Sequence, residues 1–239
     1  MMPDPFYISP QRDAQGRPRA TLYCGDCREI APHVEGVSAL ISDPPYGIGF
    51  AHSGGGRPAG SASGTNKRHT APIHGDDKPF DPSPWLWYPT VAIWGANHYL
   101  DPRQREGTLH AWDKTRGGFG PADNFSDVEY VWTSTSGASH ILHYLWKGVC
   151  QDGEKGRPKY HGMQKPIRVM EWTLERAGVE PGALVLDPYM GSGSTGVACA
   201  RRGMTFVGIE LVEEYCEIAA KRIDAALSQT TLFPAPAVS

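Results

Sequence analysis

The chain has 239 residues, the size of one ordinary domain, which argues against a large multi-domain machine. Its 28 glycines and 21 prolines make it turn-rich without low-complexity composition, and no run approaches the roughly 18 apolar residues of a membrane span. The polar, arginine-bearing first residues hold no apolar leader, and five cysteines, an odd number, argue for a reducing, cytoplasmic setting rather than a disulfide framework.

Taken in chain order, short apolar runs predict strands at Ala20 to Cys24 and Ser38 to Ile41, the second followed at once by Asp43-Pro-Pro-Tyr46. Residues 51–78 carry Gly, Ser, His and Arg with almost no apolar content, and read as a long loop rather than an element. Further strands are predicted at Thr90 to Trp94, Thr108 to Trp112 and Val128 to Thr133. Ile167, Met170, Leu174 and Ala177 recur at helical spacing, and Gly178 with Pro181-Gly182 ends that helix. The run Ala183 to Asp187 reads as a buried parallel strand, followed by a Gly-rich turn from Met190 to Gly196 and a helix to about Arg202. Thr205 to Ile209 is the next strand, and Leu211, Tyr215, Ile218, Ile223 and Leu227 trace an amphipathic helix after it. The β-α-β-α order predicts an open α/β sheet of about seven mostly parallel strands with helices on both faces: one domain over 1–228 and a flexible Pro/Ala/Thr-rich tail over 229–239.

Chemistry concentrates at two places. Gly191, Gly193 and Gly196 stand in G-x-G-x-x-G register between a strand and a helix, and Glu210 ends the next strand, where a carboxylate can accept hydrogen bonds from two ribose hydroxyls. A nucleoside-bearing cofactor follows. Asp187 opens the turn where a dinucleotide would put its pyrophosphate; a carboxylate repels that anion and suits a cationic ligand, which S-adenosylmethionine is through its sulfonium and amino groups. Because the chain ends soon after Glu210, the remaining strands must come from its N-terminal side, so the fold is circularly permuted.

The second place is Asp43-Pro44-Pro45-Tyr46, at the carboxyl end of a strand, where open α/β sheets bind ligands. An exocyclic amine on a nucleobase is a poor nucleophile because its lone pair is delocalised into the ring. A carboxylate (Asp43) and a backbone carbonyl (Pro44) accepting its two N–H bonds draw the nitrogen toward sp³ and aim that lone pair. The paired prolines fix φ and so hold the carbonyl, while Tyr46 offers a face on which an extruded base can stack.

With these motifs the sequence resembles the amino-group DNA methyltransferases, which make N6-methyladenine or N4-methylcytosine. The matching stretches are Leu22-Tyr-Cys-Gly-Asp26, Ser42-Asp-Pro-Pro-Tyr-Gly47, Ala111-Trp-Asp-Lys114, Asp127-Val-Glu129, His161-Gly-Met-Gln-Lys-Pro166 and Asp187-Pro-Tyr-Met-Gly-Ser-Gly-Ser-Thr195. Catalytic motif first and cofactor motif last is the permuted order of that family's β class. The resemblance implies a Rossmann-like methyltransferase sheet with S-adenosylmethionine as cofactor, and DNA as partner. It implies that Asp43, Pro44, Pro45 and Tyr46 hold the target base, and that Asp187, Pro188, Tyr189 and the turn Gly191, Ser192, Gly193, Ser194 and Thr195 cradle the methionine part. Glu210 then binds the ribose, Gln164 and Lys165 line the carboxylate end, and Asp26 contacts the adenosine. Tyr189 stands where the family usually has Phe, and Gly162-Met163 replaces the usual Pro-Thr; both departures bear on cofactor affinity.

In this family Asp at position 43 favours adenine N6 over cytosine N4, and cytosine C5 chemistry, which needs a thiolate usually carried in a Pro-Cys, finds no such dipeptide here. A catalytically idle DNA-binding module and a protein-amide methyltransferase are the other readings; an intact tetrapeptide beginning with Asp rather than Asn disfavours both. The net charge of −3 hides two basic segments. Residues 51–78, with Arg57, Lys67 and Arg68, lie where the family carries a mobile target loop, and residues 147–160, with Lys155, Arg157 and Lys159, lie where the β class inserts its target-recognition region. That insert is short, which predicts a homodimer. Restriction-modification is the expected setting.

Weaker signals remain. Cys24-Gly-Asp-Cys27 lacks the second ligand pair a zinc site needs, so no metal is expected. His140 and His143, on an apolar stretch, and Trp85, Trp87 and Trp94 read as packing residues, while Asn97-His98 is a lesser candidate for the base pocket. Gln229-Thr-Thr-Leu-Phe233 resembles the Q-x-x-L-F peptides that dock on bacterial sliding clamps.

Overall fold

The computed structural model describes residues 2–49, 75–101, 106–118, 126–147, 150–152 and 164–232. In chain order these form β1 (Tyr7–Ile8), β2 (Ala20–Cys24), α1 (Cys27–Ile30), β3 (Ala39–Ser42), β4 (Thr90–Trp94), α2 (Ala96–Tyr99), β5 (Thr108–Asp113), β6 (Val128–Thr133), β7 (Ile141–His143), β8 (Trp146–Lys147) and β9 (Cys150–Gln151). Then come α3 (Ile167–Arg176), β10 (Leu184–Asp187), α4 (Ser194–Arg201), β11 (Thr205–Glu210) and α5 (Glu213–Leu232).

Nine strands make one sheet in the order β1-β2-β11-β10-β3-β4-β6-β5-β7, with β8 and β9 as a separate antiparallel pair. Strands β2, β11, β10, β3 and β4 are mutually parallel, and β6 runs against its neighbours β4 and β5. The last two strands of the chain thus sit in the middle of the sheet, between strands from its first fifth, as the permuted reading requires. All seven expected strands are present. The two added ones, β1 and β7, are edge strands of two and three residues, too short for any apolar periodicity to announce them.

The central strands are buried on both faces. Along β10 and β3, Val185, Ala39 and Ile41 join one apolar cluster with residues of α3, α4 and α5, whereas Leu184, Leu186 and Leu40 join a second with Ile30, Trp85 and Tyr88. Period-two alternation divides each strand between two cores, which is why these strands read as continuous apolar runs. Helix α5 buries Cys216, Ala219, Ile223, Ala226 and Leu227, whereas Leu211, expected on its apolar stripe, lies before the helix and is exposed.

Three sequence expectations are corrected. Trp85 and Trp94 are core residues, but Trp87 is 65% exposed and stacks on Tyr88, with ring centroids 4.1 Å apart. His143 lies on the edge strand β7 beside exposed Ile141, paired with Asp113 at 2.7 Å rather than packed in apolar surroundings. Helix α5 continues through Leu232, into the segment expected to be a tail, with Ile223, Ala226 and Leu227 as its last buried residues; an extended clamp peptide at Gln229–Leu232 requires this last turn to unwind. Lys165, expected at the carboxylate end of the cofactor, contacts the tetrapeptide, as described below. Phe233 and the remaining tail, like Arg57, Lys67, Arg68, Lys155, Arg157 and Lys159 of the two basic segments, lie outside the described residues.

Among the described residues no helix is long and apolar enough to cross a membrane, and no group of His, Cys, Asp and Glu could hold a metal. Cys24 and Cys27 are free thiols.

Candidate active site

Parallel strands bring their carboxyl ends to one edge, so the residues just after β2, β11, β10, β3 and β4 meet there: Asp26, Glu210, Asp187, Asp43 and His98. Strand β5 ends at the same edge with Asp113 and Lys114 following, and antiparallel β6 begins there, so that Glu129, opposite Trp112, enters the site from the other direction. Seven strands therefore bring a polar group to one edge of the sheet.

The Gly-rich turn is built as its sequence demands. Gly191 and Gly193 have φ of +51° and +82°, the left-handed region that favours glycine. Gly196 lies against Ile223 and Phe206, where a Cβ would meet both side chains, and so lets α4 pack closely on α5 and β11. Beneath the turn the Asp187 carboxylate, 1% exposed, accepts hydrogen bonds from Ser42 Oγ (2.6 Å), Thr195 Oγ1 (2.6 Å) and the Tyr189 amide (3.0 Å). Burial raises its carboxyl to about 6 against the pull of those donors. Among the described residues it has no cationic partner, so a buried anion underlies the turn.

Glu210 ends β11 with one oxygen accepting the Gly191 amide at 3.0 Å and the other the Val212 amide at 2.9 Å, which fixes its carboxylate at the mouth of the turn. One strand further, exposed Asp26 caps α1 by accepting the Arg28 amide at 2.8 Å. Tyr189 turns to the other side, edge-on to Phe80 and Trp85 at 5.9 and 5.8 Å. At the opposite end of the turn, Ser192 Oγ donates to Gln164 Oε1 at 3.4 Å, and Arg222 from α5 donates to the Ser192 carbonyl and hydroxyl at 2.5 and 2.8 Å.

The tetrapeptide leaves β3 beside this turn. Asp43 Oδ1 accepts two hydrogen bonds, from Tyr46 Oη at 2.7 Å and Lys165 Nζ at 2.8 Å. Neither Asp43 Oδ2 nor the Pro44 carbonyl takes a hydrogen bond among the described residues. Tyr46 packs on Gly95, whose φ of +77° and missing Cβ make room for its ring, and stacks with His98 at a centroid distance of 5.2 Å and 20° between planes. Lys165, 7% exposed, also reaches Tyr46 Oη at 2.9 Å and Glu129 Oε2 at 2.9 Å, and Glu129 is held in turn by Lys114 at 2.8 Å.

Two cations and two anions thus form one nearly enclosed cluster. Burial raises the Asp43 carboxyl, with Lys165 drawing it down and Glu129 adding to the rise. For Lys165 burial works downward, but Asp43 and Glu129 outweigh it and keep the ammonium above its ordinary range. Burial likewise opposes ionisation of Glu129, and Lys165 with Lys114 overcomes it, holding the carboxyl at about 2.

The structure therefore brings together Asp43, Pro44, Pro45 and Tyr46 on one side and Asp187, Gly191 to Thr195, Glu210 and Gln164 on the other, joined by the Ser42 to Asp187 contact. It places Lys165 with Asp43 rather than with its neighbour Gln164, because successive residues of this extended segment point to opposite sides. Arg57, Lys67, Arg68, Lys155, Arg157 and Lys159 lie outside the described residues. Sequence reasoning assigned no role to Glu129, Lys114 or Arg222, although Lys114 and Glu129 stand in stretches that match the family and Glu129 is the one acid inside the strand Val128-Glu-Tyr-Val-Trp-Thr133.

A Gly-turn site and a tetrapeptide site side by side on a permuted sheet define a methyltransferase-type α/β protein. A family model described as DNA methylase, of the N6/N4 methyltransferase type, matches residues 88–221, more than half of the chain, and the chain belongs to that family. It is similar to the type II methyltransferase M2.DpnII of Streptococcus pneumoniae, 46% identical over 85 residues that make up 34% of this chain and 30% of that protein. Over a longer span it is 26% identical to the putative methylase YubD of Escherichia coli (strain K12), along 226 residues covering 84% of this chain and 88% of the other. The chain thus matches less than a third of the length of M2.DpnII but most of YubD. Its fold is shared with the PvuII DNA methyltransferase (cytosine-N4-specific), at a TM-score of 0.52 and 15% identity over 99% of this chain and 92% of that one.

Proposed function

We propose that the chain is an S-adenosylmethionine-dependent DNA methyltransferase acting on the exocyclic N6 of a flipped adenine, in a cytoplasmic setting. The observation that carries the reading is the pair of open acceptors, Asp43 Oδ2 and the Pro44 carbonyl, on a tetrapeptide one hydrogen bond away from a buried anion under a Gly-rich turn.

The family's methyl donor is S-adenosylmethionine, and the residues present fit it. Asp187 offers buried negative charge with no cationic partner among the described residues, which suits a sulfonium and an ammonium and repels a pyrophosphate. Glu210 supplies fixed carboxylate oxygens for a ribose, Asp26 stands one strand beyond on the adenosine side, and Gln164, Ser192 and Arg222 form a polar, cationic end for a carboxylate. When bound, the cofactor supplies an electrophilic methyl group. The chain's own part is to aim the nucleophile: Asp43 Oδ2 and the Pro44 carbonyl accept the two amine N–H bonds, and Tyr46 stacks against the base. Asp in place of Ser at position 43 supports adenine as the base. DNA contact falls to Arg57, Lys67 and Arg68 and to Lys155, Arg157 and Lys159, and a homodimer supplies the surface that one short recognition insert lacks; a monomer mass by light scattering at micromolar concentration would refute the dimer.

The deciding experiment incubates the protein with unmethylated DNA and isotopically labelled S-adenosylmethionine, then digests the DNA to nucleosides for mass spectrometry. Labelled N6-methyldeoxyadenosine is expected. Labelled N4-methyldeoxycytidine keeps the reaction and overturns the base, and DNA without label overturns the function.

A further inference from the structure

We propose that Lys165 is a positioning residue for Asp43 and not a ligand of the cofactor: it holds one carboxylate oxygen fixed and keeps the group ionised, leaving the other oxygen for the substrate amine. The inference rests on the reading of Asp43 as the acceptor for that amine.

An ammonium has three N–H bonds. Lys165 Nζ donates to Asp43 Oδ1 at 2.8 Å and to Tyr46 Oη at 2.9 Å and pairs by charge with Glu129 Oε2 at 2.9 Å, so two of the three N–H bonds and the charge are engaged inside the protein. Tyr46 accepts from Lys165 while donating to the same Asp43 Oδ1 at 2.7 Å, so Lys165, Tyr46 and Asp43 close a ring of three hydrogen bonds. That ring fixes the carboxylate's rotation about its Cβ–Cγ bond and points Oδ2 away from its partners. The ammonium lies 5.2 Å from the Trp94 ring centroid and 5.5 Å from that of Tyr46, which confines the side chain further.

Charge makes the same assignment. Asp43 faces Glu129 from β6 and Asp187 from β10, both of which oppose its ionisation, and Lys165 is the cation in hydrogen-bond contact with it. Lys114 pairs with Glu129 instead, Tyr46 and Tyr99 bring only neutral hydroxyls, and His98 stacks on Tyr46. Without Lys165 the carboxyl, already raised by burial and by Glu129, would be raised further, and a protonated Asp43 is a poorer acceptor for an amine N–H. The cationic end of the cofactor turn is left to Arg222, which already touches Ser192.

The test compares Lys165→Met, Lys165→Arg, Asp43→Asn and the double variant Asp43→Asn/Lys165→Met in the full chain. Three quantities are read: the dissociation constant for S-adenosylmethionine by calorimetry, kcat at saturating cofactor across pH 5 to 9, and thermal unfolding. Lys165→Met is expected to lower kcat about 100-fold while cofactor affinity changes by less than about threefold, and to move the acidic limb of the kcat profile to higher pH. Lys165→Arg keeps the charge and restores that limb. The unfolding effects of the single variants are expected to be non-additive, with Asp43→Asn relieving the loss caused by Lys165→Met. A variant whose cofactor affinity collapses while kcat recovers at saturation, or strictly additive unfolding effects, overturns the proposal. A wild-type chain that labels no DNA sinks the function proposed above, whereas the unfolding cycle needs no turnover and still decides whether Lys165 acts on Asp43.

Discussion

Ser42 and Asp187, 145 residues apart in the chain, meet through a 2.6 Å hydrogen bond that ties the end of β3 to the end of β10. The contact joins the two motifs on which the reading of the site depends, and it does so inside the protein, where both residues are about 1% exposed. Removing the donor leaves a buried carboxylate with less compensation. Ser42→Ala is therefore expected to destabilise the fold by about 1–3 kcal/mol, the range for an orphaned buried polar partner. It should also raise the Asp187 carboxyl further. Urea unfolding at pH 7 checks the first effect, and no measurable change in the midpoint would mean that solvent or another donor replaces the hydroxyl.

Asp187 makes the cofactor's affinity depend on pH. Its carboxyl titrates near 6 in the folded protein, against an ordinary value of 3.8. A raised acid pKa means that the folded, ligand-free chain is favoured by protonation: this group's contribution to stability is fully present below about pH 4 and is lost as the pH rises through 6. A cationic ligand reverses the preference, since it binds the ionised form. Affinity for S-adenosylmethionine should accordingly fall about tenfold between pH 7 and pH 5, the consequence of one proton taken up by the competing form. Asp187→Asn is expected to bind more weakly and with a flat profile over that interval. A wild-type profile that is already flat would separate Asp187 from the ligand's charge.

The central sheet was legible because it is buried on both faces: Leu184-Val-Leu-Asp187 and Ala39-Leu-Ile-Ser42 are continuous apolar runs that end in a polar residue. The motifs were legible for a related reason, since glycines and prolines at fixed offsets record backbone requirements that sequence displays directly. What sequence concealed was partnership between distant residues. Lys165 and Gln164 are adjacent, yet one reaches Asp43 and the other Ser192, and no spacing rule assigns a side chain to one of two anions on the same sheet edge. Glu129 and Lys114 were hidden by topology, because they enter the site only through the antiparallel pairing of β5 with β6. Trp87 shows the converse error: large and aromatic, it reads as core, but it lies in a turn between proline-rich segments and faces outward.

The glycines of the turn make separable predictions. At Gly193 a Cβ would lie 2.9 Å from the Ala219 Cβ in a backbone with φ of +82°, so Gly193→Ala combines backbone strain with a clash against α5. At Gly196, inside α4, the backbone is ordinary and the obstacle is packing against Ile223 and Phe206. Both substitutions should destabilise by about 1–3 kcal/mol, the usual cost of overpacking. Their rescue differs. Ile223→Val, which shortens the side chain that Gly196→Ala meets, should recover part of the loss at 196 and little at 193, where the closest atom belongs to Ala219. Equal recovery at both positions in thermal unfolding would contradict these packing assignments.

Asp43 and Glu210 should separate turnover from cofactor binding. Asp43 Oδ2 has no hydrogen-bond partner among the described residues, while Oδ1 belongs to the ring with Tyr46 and Lys165. Asp43→Ala removes the acceptor for the target amine and touches no residue of the Gly-rich turn. Loss of methyl transfer is expected, with affinity for S-adenosylmethionine within a few-fold of wild type. Glu210, in contrast, holds the Gly191 amide and presents its carboxylate at the end of β11. Glu210→Ala loses both the ribose acceptor and a brace of the turn, so affinity should fall by about 10- to 100-fold, the effect of one or two charge-assisted hydrogen bonds of roughly 1.5–3 kcal/mol. At saturating cofactor, turnover by Glu210→Ala should return to within an order of magnitude of wild type, because the tetrapeptide is untouched. Steady-state kinetics with cofactor titration, alongside direct binding by calorimetry, distinguishes the two patterns. Retained turnover in Asp43→Ala would move the chemistry away from the tetrapeptide, and unchanged affinity in Glu210→Ala would move the nucleoside away from β11.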